Sequence, residues 1–100
     1  MRSETRRRPN TPTYSAAVDP EELEITLIRD IPAGVSGPIG SYNLIPTPGF
    51  DADDEAHMAA LCAKAAEMLF EAGYLVAGEW QRNRYTRSRY VALTSMHAGD

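Results

Sequence analysis

The sequence predicts an α+β fold in which one central helix packs on a small, mainly antiparallel three-stranded sheet. Three observations support this prediction: a helical apolar pattern over residues 53–72, an alternating run over residues 22–31, and two strand-like runs over residues 74–80 and 88–95. The chain has 100 residues, of which 43% are hydrophobic. That length and composition allow one small domain with a thin core.

The first predicted strand lies at residues 22–31, where apolar and polar residues alternate. Leu23, Ile25 and Leu27 fall on one side of a period of two, and prolines stand at both ends of the run. Such alternation is typical of a strand with one buried face. We therefore expect these three side chains to contribute to the core.

The helix is predicted over about residues 53–72. Asp51 or Asp53 can cap its start, and Gly73 follows at the position where a left-handed residue often ends a helix. Residues 74–80 and 88–95 then predict a hairpin that carries arginines at its tip. The apolar positions of the helix recur every three or four residues: Met58, Leu61, Cys62, Ala65, Met68, Leu69 and Ala72.

Two segments lack a regular pattern. Residues 1–20 are rich in arginine and proline, and we expect an extended or disordered basic arm that precedes a single domain over residues 21–100. Residues 32–50 contain four prolines and four glycines, which predicts a long loop, although the segment also carries large apolar side chains. The alternative for this segment is a fourth strand at an edge of the sheet, with residues 42–45 as a short extended piece. Loops of this length are usually functional or serve to dock a partner.

Charge is segregated along the chain. Residues 1–18 carry a net charge of +3, residues 19–81 carry −10, and residues 82–100 carry +3, for a total of −4. This balance excludes a wholly basic nucleic-acid binder. A chain with basic ends and an acidic middle can attract its own copies, although solvation of all these charges explains the pattern equally well.

These features predict a non-enzymatic assembly protein that forms a homo-oligomer or joins a larger protein assembly. It would dock through the basic arm and the 32–50 loop, whose apolar residues exceed what a small core can cover. Its plan is similar to that of accessory proteins of viral capsids or tails, including those of phages. The predicted interface residues are Arg6, Arg7, Arg8, Tyr14, Val35, Ile39 and Tyr42.

The alternative function is regulatory nucleic-acid binding. Arginines and tyrosines alternate in the predicted hairpin, and guanidinium groups suit phosphate while aromatic rings can stack on bases. Over residues 58–95, the helix followed by this hairpin resembles the recognition helix and wing of winged-helix DNA-binding domains. The resemblance implies contact with nucleic acid through Arg82, Arg84, Tyr85, Arg87 and Arg89.

We predict no catalytic residue, cofactor, metal site or small-molecule substrate. The only cysteine, Cys62, lies on the apolar stripe of the helix, and the acids of residues 51–55 are explained by helix capping. The N-terminus lacks the apolar run of a secretory signal, and the single cysteine fits an intracellular location, in the cytoplasm or within an assembled virion. No apolar run is long enough to span a membrane.

Overall fold

A computed structural model describes residues 12–32 and 34–97. Within these residues the chain forms three strands, then one helix, and then three further strands. Their bounds are β1 Thr13–Asp19, β2 Glu24–Asp30, β3 Gly37–Asn43, α1 Glu55–Glu71, β4 Tyr74–Val76, β5 Gln81–Arg82 and β6 Arg89–Ser95.

The strands form a single antiparallel sheet in the order β3-β2-β1-β6-β4, and β5 also pairs with β6. Strand β1 is therefore central, with β2 on one side and the last strand, β6, on the other. The hairpin from β1 to β2 turns tightly because the Asp19 carboxylate accepts hydrogen bonds from the backbone N–H groups of Glu21 and Glu22, at 2.9 and 3.3 Å.

The core lies between α1 and one face of the sheet. Alternate residues of the central strands point to this face, since successive side chains of a strand point to opposite sides. Helix α1 contributes Met58, Leu61, Ala65 and Leu69 from one stripe. The sheet residues in the core include Ala16, Val18, Ile25, Leu27, Val91 and Leu93.

Local sequence determines where α1 begins and ends. The Asp54 side chain accepts hydrogen bonds from the N–H groups of Ala56 and His57, which satisfies two of the free donors at the helix start. The helix ends at Ala72, and Gly73 follows with a φ of 99°, a left-handed conformation that glycine adopts without strain. The predicted helix is confirmed, although its N-cap is Asp54 rather than Asp51 or Asp53.

The α+β prediction is confirmed, but the sheet has six strands instead of the predicted three. Strand β1 lies within the predicted arm and β3 lies within the predicted loop. Residues 13–19 contain few large side chains, but small ones suffice at the centre of the sheet, where Ala16 is fully buried under α1. Strand β3 contains two glycines and a proline, which are depleted in strands but are tolerated at a sheet edge.

Several finer predictions are also resolved. Ile25 and Leu27 are buried as expected, and Leu23 packs against the core. Leu44 is buried and Phe50 packs against the core, so part of the 32–50 segment completes the core. Phe70, which we expected to help form the core, is 57% exposed because it lies outside the buried stripe of α1.

Candidate protein interaction surfaces

The predicted arginine-bearing hairpin is present and has a well-ordered tip. We refer to β5, β6 and residues 83–88 between them as the arginine hairpin. The Asn83 side-chain oxygen accepts hydrogen bonds from the N–H groups of Tyr85 and Thr86, at 2.7 and 3.2 Å. The Asn83 N–H in turn donates to the Ser88 carbonyl at 3.1 Å. An asparagine in this role closes a tight turn.

Two arginines of the hairpin bind one carboxylate on α1. Arg89 is only 7% exposed, and its Nη2 lies 2.8 Å from Oε2 of Glu55. Its Nη1 donates a second hydrogen bond, of 2.7 Å, to the Arg87 carbonyl. Arg82 lies 3.4 Å from the same Glu55 oxygen. A buried guanidinium needs such partners, so Arg89 is a structural residue that joins the hairpin to the start of α1.

A third arginine, Arg87, bridges two other acids. Its guanidinium lies 3.2 Å from the Glu21 carboxylate, in the β1–β2 turn, and 3.1 Å from the Asp53 carboxylate, just before α1. Three of the four arginines that the sequence assigned to nucleic acid are thus paired with acids of the same chain. These pairs neutralise charge that a phosphate backbone would otherwise meet.

Arg84 and Tyr85 occupy the exposed tip. Tyr85 is 84% exposed, and the Arg84 guanidinium carbon lies 5.9 Å from the centre of its ring. Among the described residues Arg84 makes no ion pair. Of the residues predicted to contact nucleic acid, these two are the ones that the hairpin presents outward without an acidic partner.

The winged-helix resemblance extends to the helix and the hairpin that follows it. The described residues contain one helix, whereas the winged-helix family places further helices before the recognition helix. The exposed side of α1 carries Glu67 and Glu71, which do not suit contact with phosphate. The sheet strands β1 to β3 occupy the part of the chain where those further helices would stand.

A groove of about 330 Å³ runs beneath the hairpin, beside Trp80 and Arg89, and Cys62 lies in its wall. Burial raises the pKa of the Cys62 thiol to about 11; the Arg89 charge lowers this pKa in part and the Glu55 charge raises it. A neutral thiol is a poor nucleophile. His57 cannot activate it, because its Nδ1 accepts the Asp51 N–H at 2.9 Å in the loop before α1.

The acids around the start of α1 act as caps and turn formers. Asp54 caps the helix, and the Asp51 carboxylate accepts the N–H of Asp53 at 2.9 Å. Within residues 12–32 and 34–97, no three His, Cys, Asp or Glu side chains are grouped so that they could hold a metal ion. In the same part of the chain, no helix is long and apolar enough to cross a membrane.

The structure separates the predicted interface residues. Arg6, Arg7 and Arg8 lie outside the described residues. Tyr14 is not exposed: its ring is buried on β1, 5.3 Å from the ring of Tyr74, because β1 is the central strand of the sheet. Tyr42 is half-buried against the core.

Val35 and Ile39 are exposed as expected, and they lie in the 32–50 segment through which we predicted docking. Val35 is 88% exposed, Ile39 43% and Ile45 79%. Residues 31–50 contain no Asp, Glu, Lys, Arg or His, in a chain where 24% of residues are charged. We refer to Val35, strand β3 and Ile45 as the uncharged edge, because β3 is the last strand on its side of the sheet. The absence of charge over 20 residues was the sequence signal for this surface.

The uncharged edge adjoins the sheet face that α1 does not cover. This open face carries small or uncharged side chains across its centre, and its acids lie at the strand ends, as Asp19, Glu24 and Asp30. No described segment packs over it. Its central residues are Ser15, Ala17, Thr26, Ile28, Leu75, Tyr90, Ala92 and Thr94.

The chain matches no model of a known protein family, and no characterised protein or solved structure is significantly similar to it.

Proposed function

We propose that the chain is a non-enzymatic assembly protein that associates with copies of itself through the uncharged edge. The observation that carries this proposal is the exposure of Val35, Ile39 and Ile45 on one uncharged segment at the side of the sheet. Contiguous exposed apolar side chains are typical of protein interfaces, whereas solvated surfaces of an acidic chain are expected to carry charge.

The uncharged edge is held in place by the rest of the molecule, which favours a binding role. The Leu44 N–H donates to the Leu23 carbonyl at 2.7 Å, and Lys64 donates from Nζ to the Ile45 carbonyl at 2.8 Å. Since the backbone around Ile45 is already ordered, association loses little conformational entropy there. The viral-particle setting and the contribution of Arg6, Arg7 and Arg8 stay predictions.

The test is the molar mass of the full chain, measured by size-exclusion chromatography with light scattering over a range of concentrations. We expect a mass above the 11.0 kDa of one chain. The double substitution Val35→Asp and Ile45→Asp should shift the equilibrium towards the monomer, because it places like charges in the interface.

Phe70→Asp is the matched control, since Phe70 is an exposed large apolar residue on α1 and not at the sheet edge. It should leave the mass unchanged. A chain that is monomeric at every concentration would overturn the proposal. So would a double variant that associates as the unmodified chain does.

A further inference from the structure

The proposed self-association has a specific geometry in the structure. Strand β3 pairs with β2 on one side, and among the described residues no strand pairs with its other side. An edge strand presents a row of free N–H and C=O groups, which is a template for pairing with another strand.

The free groups are those of Ser41 and Asn43. In the ladder, Leu44 donates its N–H to Leu23 across the strand pair, and Tyr42 lies opposite Ile25. In antiparallel pairs every second residue turns its backbone groups towards the neighbouring strand. Leu44 and Tyr42 therefore bond towards β2, and the N–H and C=O groups of Ser41 and Asn43 point away from the sheet.

Only the first half of β3 is protected against pairing. Proline and strand irregularities commonly block exposed edges, as do charged side chains. Pro38 lies in the first half, and the register with β2 shifts beside Ile28. The second half, Gly40–Asn43, has no proline, no charge and no register shift, so it is open to a partner strand.

A second copy of the same chain fits this edge. The whole chain carries a net charge of −4, whereas residues 31–50 carry none, so two copies can meet at this edge without bringing like charges of this segment together. Antiparallel pairing of two identical edges is also self-complementary and closes under a two-fold axis. A pair of this kind needs no partner surface beyond β3 itself.

The register follows from the open half of β3, whose outward backbone groups belong to Ser41 and Asn43. Ile39 and Ile45 are both exposed and lie three residues on either side of Tyr42. With Tyr42 at the two-fold axis, Ser41 of one copy lies opposite Asn43 of the other, and Ile39 lies opposite Ile45. The outward backbone groups of Ser41 and Asn43 then face each other as a hydrogen-bonded pair.

We propose that two copies of the chain pair through β3, antiparallel and with Tyr42 at the two-fold axis, so that their six-stranded sheets become one continuous sheet. This proposal rests on the self-association proposed above. The β3 proposal assigns the contact to one strand and one register. It can therefore be tested separately from the proposal that the chain self-associates.

The first experiment is the substitution Ser41→Pro in the full chain. Proline removes an N–H that the pairing of β3 with β2 does not use, and proline is tolerated at sheet edges. Circular dichroism should therefore show the unmodified fold, while the dimer dissociation constant should rise by about tenfold or more, because symmetry removes the donor from both copies. Ser41→Ala keeps the N–H and should dimerise as the unmodified chain does.

The second experiment tests the register and does not depend on the proline variant being folded. Chains with Ser41→Cys are mixed with chains carrying Asn43→Cys and are mildly oxidised. The mixture should give a disulfide-linked dimer on a non-reducing gel faster than either variant alone, because position 41 faces position 43 across the pair. Cys62 is buried and should not interfere.

The outcomes separate the two proposals. A chain that is monomeric at all concentrations overturns both. A dimer that persists unchanged with Ser41→Pro in a folded chain overturns the β3 pairing and leaves self-association standing. A dimer that cross-links equally fast in the mixture and in the separate variants overturns the proposed register.

Discussion

The arginine hairpin and the uncharged edge use their side chains in opposite ways. Residues 82–89 hold four arginines, and three of them are paired with Glu21, Asp53 or Glu55 of the same chain. Residues 31–50 hold no charge, yet Val35 and Ile45 are among the most exposed large apolar residues. Most of the hairpin arginines are thus paired with acids of the same chain, whereas the apolar residues of the uncharged edge face solvent.

A cluster of charge in a sequence is therefore weak support for binding when the same chain carries the opposite charge. The hairpin and the acids before α1 come from distant parts of the chain, and only the fold brings them together. An apolar segment has no such internal partner unless it reaches the core.

The strongest loss of stability is expected at Leu44, which precedes Ile45 of the uncharged edge. Leu44 is buried and Ile45 is 79% exposed. Leu44→Ala should lower the free energy of unfolding by about 2–5 kcal/mol, because it leaves a cavity in the core. Ile45→Ala should change it by less than about 0.5 kcal/mol, as is usual for exposed positions. Urea denaturation of both variants, at a concentration where the chain is monomeric, measures the difference. Equal effects at the two positions would show that Ile45 is not a free surface residue.

The next effect concerns Cys62, beneath the arginine hairpin. Burial raises its pKa from an ordinary value of 9.0 to about 11, so at pH 8 the folded chain should expose roughly a hundredfold less thiolate than a free cysteine. Reaction with a chromogenic disulfide reagent should be slow in the native chain and fast in urea. Rapid reaction of the native chain would mean that the hairpin does not cover this part of α1.

The same group makes stability depend on pH. Folding raises this pKa, so the stabilisation is fully present below the pKa of the unfolded thiol and is lost as the pH rises towards about 11. The loss should reach about 2–3 kcal/mol in the unmodified chain. Cys62→Ala is the control, since it carries no thiol to titrate and should lack this component of the alkaline transition.

Local patterns in the sequence predicted the helix, the strand around Ile25 and the arginine hairpin, because each has a strong period or a clear turn. They did not predict β1, and they left open an edge strand within residues 32–50, where β3 lies, without locating it. Strand β1 is built on Ala16 and Val18 at the centre of the sheet, where neighbouring strands supply the burial that its own residues lack. Strand β3 owes its structure to pairing with β2, which outweighs the low strand propensity of its glycines and proline.

The candidate surfaces were predicted less well for the same reason. Exposure depends on which segments meet, so Tyr14 was assigned to an interface although it packs against Tyr74. The pairing of Arg87 with Glu21 joins residues far apart in the chain, and no local pattern reports it. The uncharged run over residues 31–50 was visible in the sequence, but only its place at a sheet edge gave it meaning.

A milder loss of stability is expected from Glu55→Ala, which tests whether the arginine hairpin has a structural role. Glu55→Ala removes the carboxylate that binds buried Arg89 and exposed Arg82. Breaking a fully buried ion pair costs about 3–5 kcal/mol, but the Glu55 side chain is 70% exposed, so water can replace part of the interaction. We therefore expect a loss of about 1–2 kcal/mol in the free energy of unfolding, measured by urea denaturation.

Glu71→Ala is the matched control for that loss, because Glu71 is an exposed glutamate in the last turn of α1. Its negative charge lies at the end of the helix dipole that disfavours it, so its removal should leave stability unchanged or slightly raised. If Glu55→Ala were as harmless as Glu71→Ala, the Arg89 guanidinium would not depend on its carboxylate partner. Arg82 and Arg89 would then be available to an external ligand, and the contrast between the hairpin and the uncharged edge would fail for these two residues.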